Sequence, residues 1–312
     1  MHVLGIDAGG TKTVCLLADE RGAIVSEGRG PGANLHTAGE LALEKVLHEV
    51  METALGDRPI APAAICIGMA GVDREDEART VRAIMRRLGH RSRVVVVNDA
   101  LIALVAGAGG DAGIVIIAGT GSIVYGRNAA GEAARAGGWG HMIGDEGSGY
   151  WIGREALASV MRAADGRGPA TELSGEILSH FGVDDVSRLP RIVYDREAPR
   201  AAVAELGPLV QRIADAGDAV ATRILERAAD ELVLAAGSVA SRLEMRGDPF
   251  TFFLAGGAFR VVPRLMADVE RRLEEVAPRA TARRLDVEPA MGAVWLALAE
   301  ARGGAQLPRY KT

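Results

Sequence analysis

Leu4-Gly5-Ile6-Asp7-Ala8-Gly9-Gly10-Thr11-Lys12-Thr13 is a short apolar run that breaks into paired glycines and then into hydroxyls and a cation. It reads as a strand, a tight turn and, in Val14-Cys15-Leu16-Leu17-Ala18, a second strand. Paired glycines let backbone N–H groups approach a polyphosphate with no Cβ in the way, Thr11 and Thr13 add hydroxyl donors, and Lys12 adds charge. Asp7, at the end of the first strand, could hold a hydrated Mg2+. This is neither the dinucleotide fingerprint, whose turn is longer and opens a helix, nor the longer phosphate loop that ends in Lys-Ser/Thr. Taken alone, an ordinary hairpin with Gly-Gly at its turn explains the stretch equally well.

A second copy favours the phosphate reading. Ile114 to Ala118, Gly119-Thr120-Gly121 and Ser122 to Gly126 repeat the order of strand, Gly/Thr turn and strand, and each copy is followed by a turn glycine, Gly22 or Gly131. The first half then predicts strands near 3–8, 13–18, 23–28, 63–69 and 93–97, with helices near 39–55, 76–88 and 100–108. The second predicts strands near 114–118, 122–126, 132–135, 251–255 and 281–284, a block of helices over about 150–245, and helices near 261–276 and 290–302. The expected fold is α/β, built of two similar halves, each a mixed sheet with flanking helices and a phosphate hairpin, with a nucleotide cleft between them.

The bulk composition agrees with a globular chain. At 312 residues the length suggests about two domains, and 48% hydrophobic with 25% charged residues excludes disorder and a membrane protein. No apolar run reaches the length of a membrane span, and Asp7 falls inside any would-be signal core, so a cytoplasmic location is expected. A net charge of -5 without a basic run argues against nucleic acid as a partner. Cys15 and Cys66 lie in apolar strands far from any His or Cys partner, which reads as core and not as zinc or a disulfide.

Further candidate residues stand at element ends. Asn34, in the loop Gly30 to Thr37, could bond a small polar ligand or merely cap the next helix. Asp99 follows the strand Val94 to Val97, where ligand chemistry gathers in α/β sheets; it could be a general base, or a helix cap. Gly137 to Gly153 interleaves glycines with Trp139, Tyr150 and Trp151 and carries Asp145 and Glu146, the composition of a loop that binds polyhydroxylated ligands. Its place in the chain gives Asp145 no evident route to the phosphates. Phe252 to Ala255 is a strand ending in Gly256-Gly257-Ala258, where a flat base could lie against backbone.

By these residues the chain resembles the sugar kinase, heat-shock 70 and actin superfamily, and within it the N-acetylglucosamine kinase group of the BadF/BadG/BcrA/BcrD ATPase family. The most specific part is the pattern of Gly137 to Gly153; the hairpins and Gly256-Gly257 are superfamily-level signals. The resemblance implies actin-like, ribonuclease H-like halves, with domains over 1–112 and 113–289, a helical insertion at about 150–245, and the C-terminal helix 290–312 joining the first. It implies that Asp7, Gly9, Gly10, Thr11, Lys12 and Thr13, with Gly119, Thr120, Gly121 and Ser122, hold the phosphates of ATP, that Asp7 holds Mg2+ through water, and that Gly256, Gly257 and Ala258 border the adenosine. Asn34, Asp99, Gly138, Trp139 and Asp145 would line an amino-sugar site, with Asp99 as the base, in a homodimeric enzyme. The activity implied is transfer of phosphate from ATP to the 6-hydroxyl of N-acetylglucosamine; glucosamine or N-acetylmuramic acid as substrate, or an ATPase switch of the same fold, are the alternatives. Nothing matches the Cys-rich cluster of zinc-bearing glucokinases, and the contexts of Cys15 and Cys66 differ from those that hold an iron–sulfur cluster in dehydratase activators.

Overall fold

The computed structural model describes residues 1–33, 35–72, 75–194 and 200–311. The chain runs β1 (His2–Ala8), β2 (Lys12–Asp19), β3 (Ile24–Pro31), α1 (Leu35–Leu55), β4 (Ala64–Met69), α2 (Glu75–Arg87), β5 (Arg93–Asn98) and α3 (Asp99–Ala108). It continues through β6 (Gly113–Ala118), β7 (Ser122–Arg127), β8 (Glu132–Gly137) and α4 (Gly149–Ala164). Then come α5 (Leu173–Phe181), α6 (Leu189–Val193), α7 (Arg200–Ala204), α8 (Gly207–Asp215) and α9 (Ala219–Arg242). The last elements are β9 (Thr251–Ala255), α10 (Gly257–Val261), α11 (Pro263–Val276), β10 (Thr281–Arg284), α12 (Pro289–Ala301) and β11 (Arg309–Tyr310). Two compact units emerge: Met1–Val115 with Tyr125–Ala134 and Arg284–Thr312, and Ile116–Val124 with Arg135–Arg283.

In the first unit the sheet order is β3-β2-β1-β4-β5. The β1–β2 and β2–β3 pairs are antiparallel, and β1–β4 and β4–β5 are parallel. The apolar residues Leu43, Leu47, Val50 and Met51 of α1 and Val81, Ile84 and Met85 of α2 are buried in a core with Leu4, Ile6, Leu17, Ile65 and Ile67 of the strands. Each such side chain contributes about 1.5–3 kcal/mol on burial. α3 and α12 pack on β1 and β4, and on each other.

Glycines set how close these elements come. A Cβ on Gly5 would lie 2.4 Å from the Val294 nitrogen of α12, one on Gly68 2.3 Å from Ile102 Cδ1 of α3, and one on Gly292 1.9 Å from the Ile102 carbonyl oxygen. In an unconstrained helix Gly→Ala is worth about 1 kcal/mol of added stability. At Gly292 the backbone contact reverses the sign: Gly292→Ala is expected to cost about 1–3 kcal/mol, as overpacking does. Urea denaturation checks this by a lower midpoint; an unchanged or higher midpoint would contradict the close α3–α12 approach.

The second sheet has the order β10-β9-β6-β7-β8-β11. In the second unit α9 packs on α4, α8 and α11, and its start is capped by Asp218, which accepts the N–H groups of Val220 and Ala221 at 2.9 and 2.8 Å. Three details depart from the sequence reading. α1 begins before Gly39, whose φ of 78° interrupts it. The glycine turn after β9 carries a separate short helix, α10, because Pro263 starts α11 and holds Val262 at φ -127° and ψ 75°, outside the helical region. β11 pairs with β8 over only two residues, too few to leave a periodic signal.

Candidate active site

Register places the first set of groups. Asp7 stands opposite Gly68, Gly68 opposite Val97, and Met69 opposite Asn98, so the carboxyl ends of β1, β4 and β5 lie level. Asp7 and Val97 are therefore two strand spacings apart, about 10 Å at the backbone, and Asp99 follows Val97 by two residues at the start of α3. Asp7 is 8% exposed, and its pKa is pushed up to about 7, first by burial and then by the negative charge of Asp99, with Lys12 opposing and Glu288 adding. The shift is upward, so the stability that Asp7 contributes is present below its unfolded value and is lost as pH rises through about 7.

The turn between β1 and β2 is held on both sides. The Gly9 N–H donates to the Lys12 carbonyl at 3.0 Å, and the Gly9 carbonyl accepts the Ala33 N–H at 3.0 Å. A Cβ on Gly32 would lie 2.2 Å from the Gly10 carbonyl oxygen, so the loop after β3 is pressed onto the turn. Gly10, Thr11 and Lys12 are exposed. Thr13 is not: it is wholly buried and its hydroxyl donates to the Pro31 carbonyl at 2.7 Å. That hydroxyl ties β2 to β3 and is not one of those the turn presents. Lys12 Nζ meets Glu288 Oε1 at 2.7 Å.

The cap of α3 is the residue before Asp99. Asn98 Oδ1 accepts the Ala100 N–H at 2.8 Å, and Asn98 has the extended backbone of an N-cap. Asp99 takes the first helical position, and the capping alternative read from the sequence falls to its neighbour. Asn34 lies outside the described residues.

In the second unit the β6–β7 turn is closed by the Gly119 N–H on the Gly121 carbonyl at 2.8 Å. The start of α4 braces it, with the Gly149 N–H on the Gly119 carbonyl at 2.8 Å and the Tyr150 N–H on the Thr120 carbonyl at 3.4 Å. Ser122 is buried and its hydroxyl donates to the Glu146 carbonyl at 2.7 Å, while the Gly138 N–H donates to the Ser122 carbonyl at 3.0 Å. Gly256, at φ 105°, sits where a Cβ would lie 2.3 Å from the Ala118 carbonyl oxygen, which sets Gly256-Gly257-Ala258 against the end of β6. The Gly119 to Ser122 turn thus contacts the glycine-rich loop, and Gly256 adjoins the strand that leads into that turn.

Asp145 is the centre of that loop. It is 6% exposed and one of two non-glycine residues with positive φ among those described, at 59°. Such a backbone costs on the order of 1–3 kcal/mol and persists where surroundings enforce it. Its carboxylate lies toward the backbone N–H groups of Ser122 and Gly140, and a Cβ on Gly121 would lie 2.7 Å from Oδ2. Burial raises its pKa, against those N–H groups and the positive charge of Arg200. The sequence reading gave Asp145 no route to the phosphates; its carboxylate in fact rests on the hairpin expected to hold them. Trp139 is 60% exposed, with the Arg135 guanidinium 4.4 Å from its ring centre. His141 Nδ1 lies 3.2 Å from Arg200, and burial, then that cation, lower its pKa.

Sequence reasoning missed Glu288, Arg135, His141 and Arg200. Only His141 and Arg135 lie in or beside a motif that had drawn notice. The other two reach the site through packing, which leaves no local pattern.

The BadF/BadG/BcrA/BcrD ATPase family model matches residues 4–297. The chain belongs to that family. Within its range of relatives, the chain is 35% identical over 303 residues to the N-acetylmuramic acid/N-acetylglucosamine kinase of Clostridium acetobutylicum, covering 96% of this chain and 99% of the relative. It is 34% identical to the N-acetyl-D-glucosamine kinase of Dictyostelium discoideum, with 95% and 97% covered. A solved structure of a candidate N-acetylglucosamine kinase from Chromobacterium violaceum superposes with a TM-score of 0.73 at 27% identity, covering 95% and 98%. The resemblance read from the hairpins and from Gly137 to Gly153 therefore holds at the level of the family, and the α/β architecture is that of its sugar-kinase members. Among the described residues no helix is long and apolar enough to cross a membrane.

Proposed function

We propose that this family member is an ATP-dependent kinase that transfers the γ-phosphoryl group to the 6-hydroxyl of an amino sugar, with N-acetylglucosamine as the first substrate. The observation that carries the reading is the grouping of the buried Asp7, Asp99 and the Gly-Gly-Thr-Lys turn at level strand ends, in a chain 35% and 34% identical to two such kinases over nearly its whole length. Phosphoryl transfer asks little covalent chemistry of a protein, so positioning and charge neutralisation carry the rate. The turns Gly9 to Lys12 and Gly119 to Ser122, with the Lys12 ammonium, meet the phosphates. Asp99 accepts the proton of the sugar hydroxyl. Trp139 covers an apolar sugar face, and Asp145, Gly138 and Asn34 meet its hydroxyl and acetamido groups. Gly256 to Ala258 border the adenosine.

Asp7 is the residue for Mg2+, through water. Among the described residues no three His, Cys, Asp or Glu side chains group into a metal cage, and a buried carboxylate with nucleotide phosphates is the arrangement Mg2+ favours. When bound, the ion would neutralise phosphate charge. Proton and cation compete for Asp7, so the Mg2+ concentration giving half-maximal rate should be about tenfold higher at pH 6 than at pH 8, following the ionised fraction of a group titrating near 7. Equal values at the two pH settings would remove Asp7 from the metal site.

A coupled ADP-release assay over N-acetylglucosamine, glucosamine, N-acetylmannosamine, N-acetylmuramic acid and glucose tests the function. The highest kcat/KM is expected for N-acetylglucosamine. The Clostridium relative, named for both sugars, makes N-acetylmuramic acid the second substrate to expect. Slow ATP turnover that no sugar stimulates would favour a nucleotide switch instead. The expected assembly is a homodimer, which light scattering of the purified chain checks.

A further inference from the structure

Glu288 precedes Pro289 and is the N-cap residue of α12, with φ -60° and ψ 127°. That extended backbone is what a residue before proline must adopt. A polar side chain at an N-cap ordinarily accepts an N–H of the first helical turn, yet Glu288 makes no such bond. Its carboxylate is turned instead to the β1–β2 turn. Oε1 accepts from Lys12 Nζ at 2.7 Å, and Oε2 lies 3.7 Å from an Arg29 guanidinium nitrogen on β3. The platform that carries it is fixed. α12 meets β1 with the Gly5 Cβ position 2.4 Å from the Val294 nitrogen, and α3 with the Gly292 Cβ position 1.9 Å from the Ile102 carbonyl oxygen. The carboxylate is thereby tied to the strand that ends in Asp7 and to the helix that begins with Asp99.

Stability does not account for this pair. The Lys12 and Glu288 side chains are 56% and 29% exposed, and ion pairs at such sites contribute little to folding. A role in ligand binding would account for it. A lysine on a four-carbon stem loses rotamer freedom when it meets a phosphate, and a partner that already holds it extended removes that cost beforehand. An ammonium has three donors, so Lys12 can keep Glu288 and still give a hydrogen to a phosphate oxygen.

We propose that Glu288 is a positioning residue for the nucleotide: from the start of α12 it holds the Lys12 ammonium over the Asp7 to Thr13 turn, placed to meet the phosphates of ATP. The inference rests on the reading of Lys12 as a phosphate ligand in the proposed kinase. Steady-state kinetics of Lys12→Ala, Glu288→Ala, Glu288→Asp and the double variant Lys12→Ala/Glu288→Ala test it. Glu288→Ala should raise KM for ATP about tenfold, the scale of a misplaced binding group, and leave the KM for sugar and the melting temperature near wild type. Glu288→Asp should recover part of the loss, and the double variant should be no worse than Lys12→Ala, since both changes remove one interaction. Should Glu288→Ala melt early, the isosteric Glu288→Gln takes its place in the same comparison. Losses that multiply in the double variant, a KM for ATP that does not rise, or one that falls because the carboxylate competes with phosphate, would each overturn the proposal. If Lys12→Ala itself leaves KM for ATP unchanged while sugar is still phosphorylated, the assignment of Lys12 fails and Glu288 falls with it, but the kinase reading stands.

Discussion

Asp99→Asn is expected to lower kcat by about 10²–10⁴, the usual contribution of general acid–base catalysis, with the melting temperature and the affinity for ATP close to wild type. An amide cannot accept the hydroxyl proton. The structure sharpens the comparison, because the helix is capped by Asn98, whose Oδ1 takes the Ala100 N–H at 2.8 Å. Asp99 stands one residue further on, within the first turn, where its charge is worth at most about 0.3–1 kcal/mol. The stability loss should therefore follow Asn98→Ala, at about 1 kcal/mol, and the catalytic loss should follow Asp99→Asn. Thermal melts and initial rates of the two variants separate these effects. Near-normal turnover in folded Asp99→Asn would take the residue out of the mechanism.

The second large effect is expected at Asp145. From the loop alone, Asp145→Asn would weaken sugar use and spare ATP. The structure predicts losses on both sides, because the carboxylate lies against Gly121, within the β6–β7 turn, and its charge faces the Ser122 N–H. An amide carries no charge to set against the N–H groups of Ser122 and Gly140, and its NH2 group would face one of these donors. A hydrogen bond to a charged group is worth about 1.5–3 kcal/mol, so affinity for each ligand should fall roughly 10- to 100-fold. Backbone strain is not the cause, since asparagine tolerates positive φ at least as well as aspartate. Calorimetric titration of ATP and sugar, each alone, measures the two losses. Unchanged ATP affinity would show that the hairpin keeps its shape without the carboxylate.

Much of this was legible in the chain. A strand that ends in Asp7 and turns through Gly9-Gly10 declares itself, because apolar alternation and paired glycines are local signals, and the second copy at Gly119 to Ser122 turned one ambiguous hairpin into a pattern. The glycine-rich loop from Gly137 to Gly153 was conspicuous by composition alone. The hydroxyls were less legible. Thr13 and Ser122 belong to hairpins that read as phosphate-binding, yet each hydroxyl turns inward, to the carbonyls of Pro31 and Glu146, because buried strand positions must satisfy their polar groups within the protein.

What the sequence determined by itself is thus the main strands and helices, the two turns, Asp7 and Asp99 beside strand ends and the family, since each is written in a short stretch of neighbouring residues. What only the tertiary structure decided is which groups answer one another. Asn98 rather than Asp99 caps α3, although both residue types favour that position. Asp145 reaches back to the turn before Ser122, and Glu288 meets Lys12 across 276 residues of chain. The physical reason is that a local pattern fixes a residue's conformation, whereas its partner depends on how closely whole elements pack, and here that distance is set by bare glycine backbone at Gly5, Gly121 and Gly292.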